Sequence, residues 1–157
     1  HPHHFMAVTK GGRSAIAATS GNEDCHIILR GGHTPNYDRE SVDAAALELS
    51  RAGVAPRIMI DSSHANSSKK PENQPLVVAD IAGQLAGGEQ RITGVMIESN
   101  LVAGRQDVVP GKPLTHGQSI TDGCIDWETT VSALNTLANA VSARRNVRSR
   151  KLQERSA

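Results

Sequence analysis

Three side chains of metal-ligating type stand where apolar runs end or a loop turns into a helix: His64, Glu98 and Asp122. His64 closes the stretch Asp61-Ser62-Ser63-His64 that follows Ile58-Met59-Ile60. Glu98 opens Glu98-Ser99-Asn100 after Val95-Met96-Ile97. Asp122 lies in Ser119-Ile120-Thr121-Asp122-Gly123, ahead of the last helix-like stretch. A cation, Arg30, stands at a similar place, after Cys25-His26-Ile27-Ile28-Leu29 and before Gly31-Gly32. Imidazole with carboxylates suits a divalent ion of the Mn, Fe, Co or Zn type. A guanidinium fork beside accessible glycine N–H groups suits phosphate or carboxylate. Each has a plain explanation when taken singly: Arg30 as a cap on a sheet edge, His64 as a surface-loop histidine, Glu98 as a solvated rim carboxylate. Parallel strands change that, because they present all their C-terminal ends on one rim. Asp126 competes with Asp122, but it reads as the N-cap of a helix starting at Trp127, which leaves Asp122 free to ligate. Ser62, Ser63 and His64 are neighbours in sequence, and no nucleophilic triad follows from that.

The elements that must position these groups alternate. Residues 5–9 and 14–19 are short apolar runs joined by Gly11-Gly12, which predicts a hairpin. Residues 25–29 and 57–60 are continuous apolar runs, expected of strands buried on both faces. A helix is predicted from about Asp38 to Ala52, with Val42, Ala45, Ala46 and Leu49 on one face and Gly53 just past its end. A second helix starts near Pro75, carries Leu76, Val77, Ile81 and Leu85, and stops at Gly87-Gly88. Residues 92–97 make the third strand, and Ser99 to about Asp126 read as one long loop. The last helix presents Val131, Leu134, Ala138 and Val141 at helical spacing. Hairpin followed by three βα units predicts a parallel sheet with right-handed crossovers. Half of a doubly wound domain and part of a (β/α)₈ barrel both satisfy that pattern. The absence of a GxGxxG or Walker sequence argues against a nucleotide-binding domain.

Composition narrows the partners. Lys+Arg 17 against Asp+Glu 16 gives a formal net charge of +1, and one Phe, one Tyr and one Trp are too few for a base-stacking platform. No nucleic-acid partner is expected. Cys25 and Cys124 are far apart, in no CxxC arrangement, and read as reduced thiols of a cytoplasmic protein. No apolar run approaches the roughly 20 residues of a membrane span. His1, His3 and His4 precede the first strand without an initiator Met, a start read as that of a fragment. The cationic residues from Arg144 to Arg155 are read as a solvated helix end, with 146–157 a basic, disordered tail.

The motifs quoted above, together with His4-Phe5-Met6-Ala7-Val8-Thr9-Lys10, Ala65-Asn66-Ser67 and Gly123-Cys124-Ile125-Asp126-Trp127-Glu128, occur in order from about His4 to Arg145. In this the chain resembles the class I 3-deoxy-D-arabino-heptulosonate 7-phosphate (DAHP) synthases. The resemblance implies that residues 1–145 are the C-terminal half of a (β/α)₈ TIM barrel. It implies condensation of phosphoenolpyruvate with erythrose 4-phosphate, the first step of the shikimate pathway to aromatic amino acids. It further implies one divalent metal held by His64, Glu98, Asp122 and a Cys of the first barrel strand, matched by neither Cys25 nor Cys124. Arg30 falls on the arginine that binds phosphoenolpyruvate, and His64 and Asp122 are implied as catalytic. The N-terminal half of the barrel and further copies of the enzyme are the implied partners.

Departures from the family pattern touch two places. Ser62 stands where relatives often carry an aromatic residue or Cys. In feedback-regulated members the hairpin helps form an aromatic-amino-acid site: Phe5 matches it, whereas Ala7 replaces a frequent hydroxyl and Ala17 a larger apolar residue. The alternatives are an inactive remnant contributing at most an interaction surface, and a different metal-dependent barrel enzyme such as an aldolase. The 157-residue chain is expected to be inactive alone.

Overall fold

The computed structural model describes residues 1–155. Its centre is a three-stranded parallel sheet of order β3-β4-β5: β3 is Ile27–Leu29, β4 is Ile58–Asp61 and β5 is Ile92–Met96. Helix α1 (Arg39–Arg51) connects β3 to β4, and α2 (Gln74–Ala86), preceded by a 3₁₀ turn, connects β4 to β5. Ile58 and Ile60 are fully buried between the sheet and Val42 and Ala46 of α1, Val77, Ile81 and Leu85 of α2, and Ala140 of the last helix. Burying each such side chain contributes about 1.5–3 kcal/mol, so these alternate strand positions anchor the sheet to its helices.

The other face departs from the expectation of strands buried on both sides. Ile28 is 48% exposed and its register partner Met59 is half-buried, whereas Ile27 and Leu29 pack against the helix-covered core. Among the described residues helices cover one face only, and the face that carries Ile28 and Met59 has no layer against it. Neither outer edge of this sheet pairs with a further strand among the described residues.

Helix α1 begins where its sequence says it should. Asp38 accepts from Ser41 N at 2.9 Å, satisfying an orphan N–H of the first turn. It ends at Gly53, whose φ of +69° lets Val54 N reach Leu49 O at 2.9 Å. The hairpin also forms, β1 (His3–Val8) against β2 (Ser14–Thr19), antiparallel, with Phe5 opposite Ala17 and Ala7 opposite Ala15.

Two expectations are corrected. Residues 99–126 are not one loop: β6 (Val102–Arg105) pairs in parallel with β7 (Gln118–Ser119), and Gly104 N reaches Cys124 O at 2.8 Å. Strands this short among Gly and Pro leave no alternating pattern to read. Nor does a disordered tail begin at 146, because α3 runs from Trp127 to Arg155. Arg144 ties it to the sheet by donating to Glu89 O at 3.2 Å and Ile92 O at 3.1 Å, and Val147 is half-buried one turn later. Residues 156–157 of the expected tail lie outside the described residues. No helix among the described residues is long and apolar enough to cross a membrane.

Candidate metal centre

The C-terminal ends of β3, β4 and β5 lie side by side, and the loops leaving them carry Arg30, His64 and Glu98. Asp122 arrives from the segment before α3, which is tied to the end of β5 where Ile125 N donates to Glu98 O at 3.0 Å and Asn100 N to Ile125 O at 3.0 Å. One ligand atom each from His64, Glu98 and Asp122 lies within 4.8 Å of the others. His64 Nε2 stands 3.8 Å from Glu98 Oε1, too far for a hydrogen bond. The three line a cleft of about 300 Å³ shared with Arg30, Ser67 and Lys69. The four site residues singled out in the sequence are therefore brought together.

His64 is held by its neighbours. Asp61 is fully buried, and its Oδ2 lies 2.7 Å from His64 Nδ1. Asp61 Oδ1 accepts from Ser63 N at 2.8 Å and from the Ser63 hydroxyl. With that hydroxyl proton committed to Asp61, Nδ1 is the donor toward the carboxylate, and Nε2 keeps its lone pair for the cleft. The turn that presents His64 is strained: His64, Ser68 and Lys69 have φ of +46°, +55° and +58°. Asn66 locks it to the sheet by donating to Asp61 O at 2.7 Å and Leu29 O at 3.1 Å. Its carbonyl accepts from Asn36 N at 2.8 Å, and Asn36 in turn accepts from Gly31 N at 2.7 Å. A chain of amides thus fixes the loop that carries Arg30 against the loop that carries His64.

Burial pushes the Glu98 carboxyl above the usual carboxylate range; His64 and Arg30 oppose the rise, and Asp122 and Asp61 add to it. Neither the Glu98 nor the Asp122 carboxylate accepts a hydrogen bond among the described residues. Two carboxylates and an imidazole nitrogen converge without a donor between them, which is the arrangement a divalent cation satisfies.

The remaining candidates lie elsewhere. Asp126 caps α3 by accepting from Thr129 N at 2.8 Å, and hydrogen bonds from the Thr129 side chain and amide hold its carboxyl below the usual range. Burial raises the Cys124 thiol, which points at Asp122 O from 3.7 Å and is outside the ligand trio. Cys25 is exposed and bonds Asn22 O. Phe5, Ala7 and Ala17 sit on the hairpin, none lining the cleft. No group of three metal-ligating side chains includes His1, His3 or His4 among the described residues. Sequence reasoning missed Asp61 as the partner of His64, although an Asp three residues before a His at a strand end was there to be read. It also missed Gln74, which bonds Glu98 across 24 residues and leaves no local signal.

A parallel α/β sheet with a histidine–carboxylate trio at its strand ends places the chain among barrel-type and doubly wound proteins with strand-end sites. Comparison with known proteins is more specific. The model of the DAHP synthetase I family matches residues 1–135. The chain is 56% identical over 144 residues to the Phe-sensitive phospho-2-dehydro-3-deoxyheptonate aldolase of Escherichia coli K12, covering 92% of this chain and 41% of that protein. It is 53% identical over 149 residues to the phospho-2-dehydro-3-deoxyheptonate aldolase of Haemophilus influenzae, covering 94% of this chain and 41% of that protein. The solved structure of phospho-2-dehydro-3-deoxyheptonate aldolase from Francisella tularensis SCHU S4 superposes with a TM-score of 0.85 at 51% identity, over 92% of this chain and 42% of that one. The chain belongs to the DAHP synthetase I family. It spans about 41% of the length of the curated relatives it matches.

Proposed function

We propose that this chain forms the C-terminal part of a TIM-barrel DAHP synthase, which condenses phosphoenolpyruvate with erythrose 4-phosphate to DAHP and phosphate. The convergence of His64, Glu98 and Asp122 within 4.8 Å at the strand ends carries the reading, together with the relatives' names. The edges of β3 and β5 left unpaired among the described residues, and the exposed face bearing Ile28, fit a sheet that further strands complete.

His64 Nε2, Glu98 and Asp122 would hold one divalent ion of the Mn, Fe, Co or Zn type, with a Cys of the N-terminal part as fourth ligand. When bound, the ion supplies Lewis-acid polarisation of the aldehyde. Arg30 binds the anionic groups of phosphoenolpyruvate, orienting its C3 toward the aldehyde carbon. As C3 forms the new bond, water adds at C2 and phosphate departs with C–O cleavage. Asp61 keeps the His64 proton on Nδ1, and Asp122 also reaches sugar hydroxyls. Phe5 fits an aromatic-amino-acid site on the hairpin, away from the cleft, whereas Ala7 and Ala17 depart from the pattern of that site, and the completed enzyme is a homo-oligomer of the cytoplasm.

The test is reconstitution. The purified 157-residue chain is expected to be inactive, and to form DAHP when a chain supplying the N-terminal part is added. His64→Ala or Glu98→Ala in the reconstituted enzyme abolishes metal-dependent turnover. Condensation by the chain alone, or activity retained in both variants, contradicts the proposal.

A further inference from the structure

Gln74 is a fully buried polar side chain at the first turn of α2, and the metal reading gives it no role. Both ends of its carboxamide bond the backbone of one residue. Nε2 donates to Glu98 O at 3.0 Å, and Oε1 accepts from Glu98 N at 2.9 Å. A neighbouring strand would pair a residue in this way. At this point no strand does so, because the β4–β5 ladder has run out: its last bonds are Ser62 N to Met96 O at 2.9 Å and the Ser62 hydroxyl to the same oxygen at 2.7 Å. Glu98 lies two residues further on, with peptide groups that need partners.

The clamp reaches beyond Glu98. Its carbonyl, held by Gln74, also accepts from Ile125 N at 3.0 Å, three residues after Asp122. One amide thereby sets the height of Glu98 above the sheet and, through the shared carbonyl, the segment that delivers Asp122. The contribution of such a clamp to fold stability is that of a few buried hydrogen bonds. Its effect on geometry is larger, because groups that orient metal ligands change affinity by about 10–100-fold.

We propose that Gln74 is a positioning residue for the ligand trio, acting on Glu98 directly and on Asp122 through Ile125; this rests on the metal reading above. The test is titration of the full chain with Co²⁺, read by its visible absorption, in wild type, Gln74→Met and Val77→Ala. Met keeps the length of Gln and removes both polar atoms, whereas Val77→Ala weakens the core of the same helix without touching the trio. Gln74→Met should raise the Co²⁺ dissociation constant about 10-fold or more and change the spectrum. Val77→Ala should do neither. In the metal-free protein, exchange of the Glu98 amide should quicken in Gln74→Met while that of Ile60 keeps the rate it has in Val77→Ala. A Gln74→Met variant that binds Co²⁺ within about two-fold of wild type, with the same spectrum, overturns the inference. If wild type itself binds no Co²⁺, the metal reading fails and the inference with it.

Discussion

Replacing Asp61 with Asn changes almost no volume and isolates what the buried carboxylate does for His64. Asp61 is fully enclosed and accepts from the Ser63 amide, the Ser63 hydroxyl and His64 Nδ1, the last at 2.7 Å. An Asn side chain can keep its carbonyl toward Ser63, which leaves an NH₂ group facing Nδ1. That group is a donor, so the imidazole must offer a lone pair at Nδ1 and carry its proton on Nε2, the nitrogen facing Glu98 at 3.8 Å. A protonated Nε2 cannot ligate. Binding must then first restore the other tautomer and forfeit the neutral bond to residue 61, whereas the wild-type ring keeps its charge-assisted bond, worth about 1.5–3 kcal/mol, in the bound state. At about 1.4 kcal/mol per decade this raises the metal dissociation constant about 10–100-fold. Calorimetric titration with Co²⁺ gives the constant, and ¹⁵N shifts of the His64 ring give the tautomer. Unchanged affinity together with a proton still on Nδ1 would refute the reasoning, because it would show that the carboxylate does not set the ring.

Three further outcomes follow from other parts of the molecule. Gly31→Ala places a Cβ 2.7 Å from Ala65 Cβ and 2.9 Å from Asn66 N at a φ of +77°, so urea denaturation should show a loss of about 1–3 kcal/mol and the Arg30 loop should lose amide protection. Ile60→Ala removes a fully buried strand residue and should cost about 2–5 kcal/mol in the same assay. The hydrogen bond from Arg91 holds the Glu89 carboxyl well below its ordinary 4.5, at about 2. A depressed acid contributes stability that is present above pH 4.5 and lost as pH falls toward 2, so Glu89→Gln should flatten that part of the acid limb by about 1–2 kcal/mol after screening at this partly exposed pair.

The strand-end logic was legible because three apolar runs each finish in a functional side chain, and a parallel sheet has no other way to arrange them. Helix α1 was equally plain, with Asp38 and Gly53 at its ends. What stayed hidden depends on tertiary pairing. β6 and β7 are short strands among glycines and prolines, and they exist because Gly104, Cys124 and the Val102–Gln118 pairing find one another across the fold. The continuation of α3 to Arg155 depends on Arg144 reaching two carbonyls at the base of β5. Two-sided burial was inferred from β-branched runs, and the uncovered face of Ile28 shows that such runs record which faces the strands need covered, whichever segment covers them. Asp61 and Gln74 belong to the site through bonds, and only the first has a spacing that announces it.

The central claim is that His64, Glu98 and Asp122 form one cation site. Anomalous diffraction at the manganese edge from crystals of this protein soaked in Mn²⁺ tests it most directly. A single strong peak is expected within bonding distance of His64 Nε2 and of one carboxylate oxygen from each of Glu98 and Asp122. A peak at other residues, or none in crystals whose trio keeps the geometry described here, would contradict it.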